Sequence, residues 1–65
     1  MKRKDLIRRI NELARARGLE CIWRQGGRHT VVRLGEQETS IPRHREINEI
    51  TARKILEHLS QEQQP

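Results

Sequence analysis

The chain has 65 residues, with 14 Lys or Arg against nine Asp or Glu and a formal net charge of +5. A chain this short buries only about 60% of the surface its unfolded form exposes, so it is one domain with a thin core and no room for a large internal substrate pocket. The single cysteine excludes an internal disulfide and a cysteine zinc cluster, and no apolar run approaches the roughly 18–20 residues of a membrane span.

Leu6, Ile7, Ile10, Leu13 and Ala14 recur at helical spacing. Asp5 suits the first turn of a helix, and Gly18 suits a C-terminal stop. The spacing therefore predicts a first helix over about Lys4 to Arg17. Residues 1–17 hold seven Lys or Arg against Asp5 and Glu12. Arg8, Arg9 and Arg15 fall on the outer face of that helix, and positive charge on this scale favours a polyanionic partner, nucleic acid first.

Leu19 to Gln25 is strand-like. Gly26-Gly27 suits a two-residue hairpin loop in which both positions take positive φ, and a second strand follows over Arg28 to Leu34. This register sets Gln25 opposite Arg28, Arg24 opposite His29 and Trp23 opposite Thr30. It also sets Ile22 opposite Val31, Cys21 opposite Val32 and Glu20 opposite Arg33. Alternation then gathers Leu19, Cys21, Trp23, Val32 and Leu34 on a core face, and Glu20, Ile22, Arg24, His29, Val31 and Arg33 on a solvent face. Gly35 opens another turn, a third strand covers Glu38 to Ile41, and Pro42 ends it for want of a backbone donor. Asn48 is a good N-cap for a last helix with the stripe Ala52, Ile55, Leu56 and Leu59. The order is helix, three antiparallel strands, helix: an α+β two-layer sandwich. Residues 1–60 form the single domain, and 61–65 a polar C-terminal tail.

His29 is the residue best suited to chemistry. An imidazole exchanges a proton near neutral pH, and RNA cleavage needs the 2′-hydroxyl deprotonated and the leaving 5′-oxygen protonated. Gly26 and Gly27 let a phosphate approach the backbone, and Arg24 and Arg28 are near enough to hold it. The basic loop Pro42-Arg43-His44-Arg45-Glu46 adds Arg43 and Arg45 as phosphate contacts and His44 as a candidate general acid. The same residues also fit an exposed strand histidine beside an ordinary turn. Trp23 and Cys21 fall on the core face, and His58 is expected on the surface near a helix C-terminus. Three scattered histidines without clustered carboxylates make a poor metal site, so no metal and no cofactor is expected.

The order and spacing of four segments resemble the HicA-type toxins of bacterial toxin–antitoxin systems. The segments are the opening Lys2-Arg3-Lys4-Asp5-Leu6-Ile7-Arg8-Arg9, the turn Gly26-Gly27-Arg28-His29, the stretch Ile41-Pro42-Arg43-His44-Arg45-Glu46-Ile47, and Thr51-Ala52-Arg53-Lys54-Ile55-Leu56. The resemblance spans about Lys2 to Leu59. It implies a double-stranded-RNA-binding-domain-like fold, a messenger RNA endonuclease with His29 as its catalytic histidine, and a HicB-type antitoxin protein that covers the active surface. The chain departs from the family at Gly27, where Ser is frequent, at Val32, where an aromatic is common, and at Asn48-Glu49, where Lys-Gly is frequent. Glu49 there repels phosphate. The expectation is a cytoplasmic, metal-independent endoribonuclease acting on mRNA, with no membrane contact. The alternative is a non-catalytic RNA-binding module of the same fold.

Overall fold

The computed structural model describes residues 1–61. Its elements are α1 (Arg3–Arg17), β1 (Cys21–Gln25), β2 (His29–Leu34), β3 (Gln37–Pro42) and α2 (Glu49–Ser60). Residues 62–65 of the expected tail lie outside the described residues. The three strands form one antiparallel sheet in the order β1-β2-β3, so the α+β layout read from the sequence is the observed one.

Both helices pack on one face of the sheet. Leu6, Ile10 and Ala14 from α1 and Ala52, Ile55 and Leu59 from α2 meet Val32, Leu34 and Ile41 from the strands, with Ile47 beside them. Each fully buried side chain of this kind contributes roughly 1.5–3 kcal/mol of apolar burial. Leu13, Leu19, Cys21, Trp23 and Leu56 are half-buried against this cluster. The expected core face is therefore correct in membership, with Trp23 and Cys21 at its margin. Burial pushes the Cys21 thiol above its ordinary pKa, so it behaves as a small apolar group.

The local rules that end the elements are visible. Gly18 takes φ 65° and stops α1 in the left-handed region. The Asn48 side chain accepts the Ile50 N–H at 2.8 Å and starts α2. The end of α2 is closed from a distance: Arg17 Nη1 donates to the Ser60 carbonyl at 2.8 Å and to the Gln61 carbonyl at 3.3 Å. A cation on the last carbonyls of a helix also suits its dipole.

The β1–β2 register differs from the expected one. Cys21 pairs with Leu34, Trp23 with Val32, Arg24 with Val31 and Gln25 with Thr30. This is a shift of two residues, which keeps every side chain on its expected face because the strand repeat is two. The cause is the turn. It spans 26–29 rather than two residues, and neither Gly26 nor Gly27 has positive φ. The expected Glu20–Arg33 pair does not form. Arg33 lies opposite Ile22, and its Nε donates to the Gly35 carbonyl at 3.1 Å. Among the described residues no helix is long and apolar enough to cross a membrane.

Candidate functional site

His29 is the first residue of β2 and is exposed, on the opposite side of the strand from buried Thr30. The next residue, Thr30, points the other way and is buried. Its hydroxyl accepts a hydrogen bond from Arg3 Nη2 at 2.8 Å and lies 3.5 Å from Gln25 Oε1. Arg3 Nε also donates to the Pro42 carbonyl at 3.1 Å, and Pro42 is the β3 partner of His29. The start of α1 thus holds the end of the sheet that carries His29.

Arg43 holds the same end from the other side. Its Nη2 donates to Gln25 Oε1 at 2.7 Å, the Gly26 carbonyl at 2.6 Å and the His29 carbonyl at 3.2 Å, and its Nη1 donates to the Gly27 carbonyl at 3.2 Å. The turn closes on itself as well, through Gly26 N–H to the His29 carbonyl at 2.8 Å. A guanidinium has five N–H donors, and these contacts leave the Nε hydrogen and one Nη1 hydrogen for any other acceptor. Arg43 thus has a structural role in the turn that the sequence did not show. It ties the Gly26 and Gly27 carbonyls, which a four-residue turn would otherwise leave to water, to the His29 carbonyl that already accepts the Gly26 N–H.

The other expected residues divide into two groups. Gly26, Gly27, Arg28, His29, Arg43, His44 and Arg45 gather at one end of the sheet, because Arg43 binds the turn and the Arg45 carbonyl accepts the Arg3 N–H at 2.9 Å. Arg28, His44 and Arg45 are exposed there, and none of their side chains has an ion pair among the described residues. Arg24 stands apart. It lies opposite Val31 rather than His29 and reaches across the sheet to Glu38 Oε1 at 3.6 Å. The two-residue slip in register moves it away from the position that would hold a phosphate at His29.

Seven residues join His29 that sequence reasoning did not assign to the site. An open groove of about 510 Å³ runs between the edge strand β3 and α2, lined by His29, Thr39, Ser40, Pro42, Thr51, Lys54, Ile55 and His58. Lys54, Thr51 and His58 come from one stripe of α2, and Ser40 from β3. His58 is not a simple surface residue: it is half-buried, and its Nε2 lies 3.0 Å from the Glu38 carbonyl of the edge strand. The i, i+3, i+7 spacing of Thr51, Lys54 and His58 marks one helix face. That spacing was the available signal, but nothing local said that the face met β3.

Glu49, at the start of α2, does not stand free beside this site. Its carboxylate accepts a hydrogen bond from the Met1 α-amino group at 2.9 Å. That hydrogen bond, with the charge of the amino group, holds the carboxyl below the usual carboxylate range. Among the described residues no three His, Cys, Asp or Glu side chains cluster as a metal site, and no buried side-chain nitrogen or oxygen lacks a partner. No protein-family model matches the chain, and no curated protein or solved structure is significantly similar to it.

Proposed function

We propose that the chain is the toxin of a HicA-type toxin–antitoxin pair, an endoribonuclease that cleaves mRNA without a metal and uses His29 as general base. One observation carries the reading: the His29 imidazole stands exposed at a turn fixed by Arg3 and Arg43, with unpaired Arg28 beside it and an open groove alongside. A general base must be reachable by its substrate and must be held in place. His29 is reachable and its backbone is fixed by the Arg43 and Gly26 contacts on its carbonyl, and the hydrophobic layer does not wall it in.

In this reaction His29 takes the proton of a ribose 2′-hydroxyl. The freed oxygen attacks the adjacent phosphorus, and the bond to the 5′-oxygen breaks as that oxygen gains a proton. The ends are a 2′,3′-cyclic phosphate and a 5′-hydroxyl. Arg28 and Arg45, exposed at the same end of the sheet, stabilise the charge that builds on the phosphate. His44 is placed on the same loop as a candidate proton donor. The partner is a HicB-type antitoxin that covers this end of the molecule, and the setting is the cytoplasm.

Incubation of the purified protein with RNA in EDTA, beside the His29→Ala variant, tests the reading. The wild type should cut and leave cyclic phosphate ends, and His29→Ala should be slower by about 10²–10⁴-fold, the range for one positioned acid–base group. Full cleavage by the variant overturns it. Tight RNA binding without any cutting would make the chain a binding module instead.

A further inference from the structure

We infer that the groove between β3 and α2 is a track for a single RNA strand about three nucleotides long, with Lys54 as its phosphate contact and His58 at its far end. The inference rests on the RNA reading above and adds where the substrate lies.

Charge is the first argument. The groove carries three hydroxyls (Thr39, Ser40 and Thr51), two imidazoles (His29 and His58) and the ammonium of Lys54, and no carboxylate. Acidic side chains are common elsewhere on the surface. The two concavities on the helical side include Glu12 in one and Glu49 and Glu57 in the other. A groove with this donor set and no acid suits an anion that needs hydrogen bonds along its length. Lys54 is exposed and has no ion pair among the described residues, so its charge is available.

Shape is the second. The short link from Pro42 to Asn48 sends α2 back along β3, so Thr51 lies toward the Pro42 end and His58 meets Glu38 at the other. Seven residues of helix separate Thr51 from His58, about 10 Å at 1.5 Å per residue. One stacked strand advances about 3.4 Å per nucleotide, which gives about three nucleotides. The two imidazoles are thus too far apart to serve one phosphate. His29 works at one end, and His58 contacts RNA beyond the cut.

One strand fits better than two. Duplex-binding domains of this layout grip phosphates across the major groove from a lysine-rich start of the last helix. Here that start is Asn48-Glu49-Ile50-Thr51, and Glu49 is tied to the Met1 amino group. The cation comes later, at Lys54, on the face turned to the edge strand.

The test removes the same charge from two neighbouring positions. Lys54 lines the track, whereas Arg53 lines the opposite side of α2 with Arg9. A 2′-O-methyl RNA hexamer cannot be cut at its 2′-oxygen, so its binding reads the track without the chemistry. Fluorescence anisotropy across a salt series should show that Lys54→Ala binds severalfold more weakly. The slope of log affinity against log salt should also fall by about 0.7, the value for one phosphate contact on a single strand. Arg53→Ala should leave both unchanged. With unmodified RNA, Lys54→Ala and His58→Ala should raise KM and leave kcat near the wild-type value. Shortening the analogue should cost affinity steeply only below about three nucleotides. Equal losses from Arg53→Ala and Lys54→Ala, or no loss from Lys54→Ala, overturn the track. Binding through Lys54 by a protein that never cuts RNA leaves the track standing and removes the nuclease. Cutting that ignores Lys54 does the reverse.

Discussion

The two hairpin turns of the sheet both contain glycine, yet they are held in different ways. The β2–β3 turn takes its shape from its own backbone, with the Gly35 N–H donating to the Glu20 carbonyl at 3.2 Å and the neighbouring Arg33 Nε donating to the Gly35 carbonyl at 3.1 Å. Leu34 pairs with Gln37 across Gly35-Glu36, and Gly35 takes φ 62°, as a two-residue loop with glycine first requires. The β1–β2 turn uses neither glycine for positive φ. It spans four residues and takes its shape from Arg43, 14 to 18 residues further along the chain. The β2–β3 turn has glycine in the left-handed region its loop needs, whereas the turn that carries His29 leans on a side chain 14 to 18 residues away.

The largest effect should come from Arg43. Arg43→Ala removes four hydrogen bonds from the turn. The loss of stability should be about 1–2 kcal/mol in urea unfolding, moderated because the guanidinium is exposed. The sharper readout is local: amide exchange at residues 26–29 should rise more than in the core. RNA cleavage should fall at least about tenfold through kcat, since a loosened base is a misplaced one. Arg43→Lys should restore little, because one ammonium cannot span four acceptors. Unchanged exchange in Arg43→Ala would show that the turn holds itself.

Next comes Gly35→Ala, which forces a side chain into the left-handed region and should cost about 1 kcal/mol. Cleavage should be unaffected, because the strain lies at the opposite end of β2 from His29. The smallest effect is Gly27→Ala. A Cβ there meets no atom within 4 Å, and the backbone does not need glycine. The change should be neutral or stabilising by about 0.5 kcal/mol, through the unfolded chain. Gly26 differs: its Cβ would stand 3.0 Å from the His29 carbonyl oxygen, so alanine at that position must push on the backbone of His29. If thermal unfolding gave Gly27→Ala and Gly35→Ala equal losses, the contrast between the turns would be lost.

Most of the fold was legible because it rests on short-range patterns. The 3.6-residue period marked both helices, Gly18 and Asn48 marked their ends, and the two-residue period sorted Val32 and Leu34 from Val31 and Arg33. The register was not legible. Gly26-Gly27 looks like a two-residue loop, and nothing nearby says that Arg43 will stretch it to four. For the site, His29 could be found because a lone imidazole after a glycine turn is visible in sequence. Arg24 was misplaced by the same slip in register. Lys54 and His58 join the groove only through the docking of α2 on β3, a long-range arrangement that their own segment does not encode. Arg3 was likewise hidden, since its partners Thr30 and Pro42 lie 27 and 39 residues away.

Arg3, Thr30, Gln25 and Arg43 form an unbroken relay of polar contacts from the first turn of α1 to the hairpin tip. Fraying at the amino end of that helix should therefore reach the turn that carries His29 without passing through the apolar layer, and helix start and hairpin tip are expected to open together. Anything that grasps the beginning of α1 thereby acquires a handle on His29.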